Sequence, residues 1–115
     1  MAADPAWDEM WVYEHLSEYA ASLIHKYYEP CGLRHQLLKE IYRIIESERC
    51  IPLEEALKAN IIWMALKRGV NWAESMSEKS LSKSMCDYLY IDIYTGLRNY
   101  IKAFPGGFKG YNRTT

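Results

Sequence analysis

The sequence predicts an all-α fold, a compact bundle of four to five helices followed by a short irregular C-terminal tail. Two observations carry that prediction. Apolar side chains recur every three or four residues through most of the chain, and Pro and Gly punctuate it at Pro5, Pro30-Cys31-Gly32, Pro52, Gly69 and Pro105-Gly106-Gly107. A third bounds the size: 115 residues, 50% hydrophobic and 25% charged, suit one core and have enough apolar surface to offset the entropy of ordering.

The first helix is expected over residues 5–28. Asp4 offers an N-cap oxygen, and Pro5 stands where its missing N–H costs nothing. Val12, Leu16, Ala20, Leu23 and Tyr27 share one face of it, with Tyr19 on one flank and Met10, Ile24 and Tyr28 on the other. The second, over 33–49, carries Leu37, Leu38, Ile41, Ile44 and Ile45 inward and Lys39, Glu40, Arg43 and Glu46 outward. The third is expected from Pro52 to Gly69, with Glu54 and Glu55 at its positive end and Lys67-Arg68 before the glycine. Its inner face is Leu53, Leu57, Ile61 and Met64, widened by Ala56, Trp63 and Leu66, which places it near the centre.

Asn71-Trp72-Ala73-Glu74 has the form of a capping box and predicts a new helix from Trp72. Farther on, Met85, Leu89, Ile93, Leu97, Tyr100 and Phe104 make another helical stripe. Residues 88–95 are also rich in aromatic and β-branched types, as strands are, but a lone strand would find no partner elsewhere in the chain. Helix is therefore the reading. Residues 1–104 form the bundle domain, and 105–115 a flexible or partner-docked tail.

Composition narrows the function classes. The N-terminal residues show neither a basic region nor an apolar core of a leader, which points to the cytoplasm. No apolar run approaches the roughly 20 residues that cross a bilayer, so no membrane role is expected. Three cysteines, Cys31, Cys50 and Cys86, have no CxxC spacing, and the expectation is reduced thiols and no zinc. No cofactor is indicated. Residues 1–60 hold 11 acids and 6 bases, a charge of −5, whereas residues 61–115 hold 4 acids and 8 bases, a charge of +4. Ten Tyr and four Trp supply rings with polar tips, which suit surfaces that stay half wet.

Candidate sites follow from those two asymmetries. The C-terminal part interleaves bases and rings: Arg98, Tyr100, Lys102, Phe104, Phe108, Lys109, Tyr111 and Arg113. Such a mix suits an acidic protein surface or single-stranded nucleic acid. The contact residues expected are Trp11, Arg98, Lys102, Phe108, Lys109, Tyr111 and Arg113, while Trp7, Trp63 and Trp72 are expected to pack. His15 and Glu18 stand three apart on the first helix, but no second helix supplies further ligands, so they read as a solvated face and no metal site is expected. Arg98-Asn99 resembles the start of the Arg-Asn-x3-His signature of HEPN-type ribonucleases; Ala103 stands in the histidine's place, so the catalytic pair is not carried over. No phosphate loop, nucleophile elbow or Cys–His signature is present. The expectation is a small non-catalytic protein-binding module, an adaptor, inhibitor or self-associating subunit that forms a homo-oligomer. Single-stranded nucleic-acid binding is the first alternative, and a helical enzyme or metal protein the second.

Overall fold

A computed structural model of the chain describes residues 8–47, 55–77 and 84–103. Among these residues every regular element is helical, and no helix is long and apolar enough to cross a membrane. The elements are α1 (Glu9–Tyr13), α2 (Glu18–Leu23) running into a π-helical turn (Ile24–Tyr28), α3 (Arg34–Ser47), α4 (Glu55–Ser77), and α5 (Ser84–Ile91) joined through a second π-helical turn (Asp92–Gly96) to α6 (Leu97–Ala103). As rods these are five, which agrees with the predicted bundle. Residues 88–95 are helix and not strand.

The single helix expected over 5–28 is instead two. The amides of His15 and Leu16 bond to the carbonyls three residues back, at 2.9 and 3.1 Å, which tightens and ends α1. Ser17 then restarts the chain: in extended conformation, its hydroxyl accepts from the Ala20 amide at 3.1 Å. The start differs as well, since the described N-cap is Asp8, whose carboxylate accepts from the Trp11 amide at 2.7 Å; Asp4 and Pro5 lie outside the described residues. The break turns the inner face to Val12, Ala20, Ile24 and Tyr28, leaving Leu16, Leu23 and Tyr27 half-buried. Gly32, at φ 75°, turns the chain after the π-helical turn in a conformation that favours glycine, and the Leu33 amide closes onto the Tyr28 carbonyl at 3.0 Å.

The inner face of α3 is as expected, with Leu37, Leu38, Ile41, Ile44 and Ile45 all buried. Glu40 is not on the solvated side, however; it is 4% exposed. Glu9 ties α1 to the start of α3 through Arg34 at 3.2 Å and His35 at 3.0 Å, although such exposed pairs contribute little.

Helix α4 does not stop at Gly69 and does not restart at Trp72. It runs unbroken to Ser77, burying Ile61, Ile62, Ala65, Leu66, Val70 and Ala73 against α2, α5 and α6. The glycine is a packing notch, not a terminator: a Cβ there would overlap the carboxylate of Asp92. Residues 52–54 and 105–115 lie outside the described residues, as does the predicted Pro52 start.

The cysteine expectation is corrected at two positions. Cys31, in the loop after the first π-helical turn, is disulfide-bonded to Cys86 of α5, with Cα atoms 5.4 Å apart. Spacing in the sequence hides this pair because 55 positions separate its members and only the bundle brings them together. Cys50 is outside the described residues.

Candidate functional site

The face that α4 and α5 share holds an open cleft of about 510 Å³. Its α4 wall is Arg68, Asn71, Trp72 and Ser75, residues at i, i+3, i+4 and i+7 that one side of a helix presents together. The other wall is Ile91, Asp92, Thr95 and Gly96. Those four belong to the second π-helical turn and its approach, where the Leu97 amide reaches back five residues to the Asp92 carbonyl. The Thr95 hydroxyl is already committed, donating to the Ile91 carbonyl at 2.8 Å. Wide turns of this kind insert an extra residue and re-aim side chains, and they are frequent where proteins bind or react.

Asp92 is the unusual member. It is 6% exposed, and its carboxylate occupies the space that a Cβ of Gly69 or of Gly96 would need. Its hydrogen-bond donor among the described residues is the Tyr28 hydroxyl, at a long 3.4 Å. Tyr28 belongs to the first π-helical turn, so the contact joins the two irregular turns across the core. Burial pushes the Asp92 carboxyl up to about 6, against the opposing pull of the Tyr28 hydrogen bond and the Arg68 charge. Burial, followed by the charge and hydrogen bond of Asp92, holds the Tyr28 phenol well above its ordinary range, so Tyr28 stays a donor. Arg68 itself lies over the Tyr100 ring, 5.3 Å from its centroid.

Trp72 and Ile91 add an aromatic and an aliphatic side chain to the cleft, and further exposed rings lie outside its lining. Trp72 packs as expected, edge-on against Tyr88 of α5 with ring centroids 5.3 Å apart, yet it keeps 39% of its surface exposed. Tyr90 and Ile91 of α5 and Tyr94 of the second π-helical turn are each 46% exposed, and the two tyrosine rings meet at 5.2 Å.

The predicted contact residues are not gathered here. Trp11 is half-buried between His15, at 4.1 Å, and Tyr42, at 5.3 Å, so packing accounts for it. Lys102 is exposed on α6. Phe108, Lys109, Tyr111 and Arg113 lie outside the described residues. Arg98 pairs through Nε with Oε2 of the buried Glu40, whose second cation, Arg43, is farther off at 3.9 Å. Removing Arg98 strands a buried carboxylate. Arg98→Ala is expected to cost about 2 kcal/mol, with Lys restoring only part because it cannot present the same fork. Urea denaturation of the three proteins checks this, and an unchanged midpoint for the alanine variant would contradict it.

His15 turns its Nδ1 to the Trp11 carbonyl at 2.9 Å, and His25 pairs with Glu29 at 2.8 Å. Among the described residues no three His, Cys, Asp or Glu side chains converge in a way that would hold a metal ion. Sequence reasoning passed over the cleft. One signal was there: an acid one place off the Leu89, Ile93, Leu97 stripe, with a glycine four residues on. Neither the protein-family models, the curated proteins nor the solved structures compared with this chain yield a match.

Proposed function

We propose that the protein is a non-catalytic binding module whose first partner is a second copy of itself. The observation that carries this reading is the exposed ridge of Tyr90 and Ile91 on α5 and Tyr94 in the π-helical turn that follows, in the half of the chain that is basic. The acidic half offers a complement. Met10 and Tyr19 are 70% and 72% exposed there, near the exposed Glu14 and Glu18 in the sequence, while the exposed Arg68 lines the same cleft as Ile91 of the ridge. Apolar groups would desolvate one another while opposite charges set the register, a combination that favours association and makes it salt-sensitive. Paired once, the two surfaces build a ring or a chain of copies; paired reciprocally, they close a two-fold dimer.

Sedimentation velocity across a concentration series is the test. The average mass is expected to climb with concentration, more steeply at low salt, and Tyr90→Ser with Tyr94→Ser is expected to return the chain to monomer. A strict monomer at high concentration removes the reading.

Single-stranded nucleic-acid binding is less well supported, since Arg98 is engaged by Glu40. Cytoplasmic residence stays within the proposal on one condition. Cytosolic thiols are normally kept reduced, so there the Cys31–Cys86 bond is a state reached only under oxidation. Alkylating free thiols at the moment of lysis distinguishes the two states.

A further inference from the structure

The Asp92 carboxylate has fewer donors than it can use. An ionised carboxylate accepts up to about four hydrogen bonds, yet this buried one receives, among the described residues, a single neutral bond of 3.4 Å. That length exceeds the usual O–H···O range. Two glycines are left without side chains to admit it, and it lines an open cleft. Arg68 offsets part of the charge but gives it no hydrogen bond among the described residues; leaving a buried carboxylate so short of donors is costly, and a ligand that brings donors reduces the cost.

The other walls say what kind of ligand. Arg68 lines the same cleft, so a simple cation drawn to Asp92 would meet a like charge; neutral N–H donors avoid that. An anionic group elsewhere on the ligand would then answer Arg68. Trp72, one turn beyond Arg68 on α4 and part-exposed, offers a ring for a flat molecule to lie against, with Ile91 on the facing helix. Asn71 and Ser75 add small polar groups, and the volume falls in the range of small-molecule sites.

We infer that the α4–α5 cleft binds a planar heterocycle that presents two adjacent N–H donors to Asp92 and an anionic substituent to Arg68, the chemistry of a guanine mononucleotide. Guanine carries a ring N–H beside an exocyclic amine, which a carboxylate accepts side by side. Adenine sets an acceptor nitrogen beside its amine and repels the same carboxylate. A base stacked on the Trp72 ring adds an apolar contact, and the phosphate is the part that Arg68 recognises.

The cleft shares Arg68 and Ile91 with the face proposed for self-association, so binding is measured at a concentration where the chain is monomeric, which keeps the two tests apart. Titration calorimetry of the full chain with GMP is expected to give saturable one-to-one binding. AMP is expected to bind at least about 30-fold more weakly, and inorganic phosphate to give no heat. Asp92→Asn should lose about 30-fold or more in GMP affinity while its circular dichroism stays helical, because its amide opposes the exocyclic amine of guanine. The Tyr90→Ser, Tyr94→Ser variant should bind GMP as the parent does, whatever its state of association. No heat with GMP at millimolar concentration, AMP equal to GMP, or full affinity in Asp92→Asn would each overturn the inference. So would tight binding of a short G-containing RNA by a chain that ignores GMP, which would assign the cleft to a strand.

Discussion

Asp92→Asn is expected to stabilise the folded chain at pH 7 by about 1–2 kcal/mol. The folded carboxyl titrates at about 6 and its unfolded counterpart at 3.8, so the folded state holds the proton more tightly between those values. Raising the pH through that window strips the proton from a buried site and weakens folding. The sign is the reverse of the usual salt-bridged aspartate: the penalty is absent below about pH 4 and complete above about pH 6. Roughly two pKa units correspond to about 3 kcal/mol. Asparagine escapes that penalty but buries an amide that also wants partners, which is why the net gain is smaller. Denaturant unfolding of parent and variant at several pH values checks it. Every other titrating group is common to both proteins, so the difference between the curves isolates Asp92, and a difference that stays constant from pH 4 to 7 would contradict the assignment. A more stable variant that no longer binds its ligand is the pattern expected where a site holds stability in reserve for function.

Breaking the Cys31–Cys86 bond should have the larger effect, and in the other direction. The bond closes a loop across a separation of 55 residues, for which the chain-entropy relation gives about 4 kcal/mol. In a domain of this size each kcal/mol moves the melting temperature by about 4–8 °C. Reduction, or Cys31→Ser, should therefore lower Tm by about 15 °C or more. The bond fastens the loop behind Tyr28 to the helix that leads into Asp92, so local loosening is expected there first. Hydrogen exchange of the 84–96 amides with and without dithiothreitol reads that, and identical melts in the two conditions would show that the bond contributes nothing.

Periodicity made the bundle legible, because each rod must bury a stripe and the stripes of α3 and α5–α6 are written plainly at Leu37, Ile41 and Ile45 and at Leu89, Ile93 and Leu97. Interruptions were less legible. Ser17 divides the first helix through one hydroxyl, a local choice that the apolar pattern on either side does not reveal. Gly69 and the Asn71 box read as a stop and a start, yet α4 passes through both. The reason for the glycine lies 23 positions away, in a carboxylate that only the folded chain brings alongside. Arg98 illustrates the same limit. Beside Tyr100 and Lys102 it looks like part of a basic contact surface, and its obligation to Glu40 is a fact of tertiary packing. The cleft was hidden for a similar reason: its walls come from two helices, and the residue at its heart sits among apolar neighbours in the sequence.

The notch around Asp92 also constrains how this sequence can change over generations. A methyl group at position 69 or 96 overlaps the carboxylate at 92 and would have to displace it, an overlap that ends once that side chain shortens. Shortening first spares that displacement, so the order of steps matters, and the two glycines are held in place by a third residue rather than by a positive φ of their own.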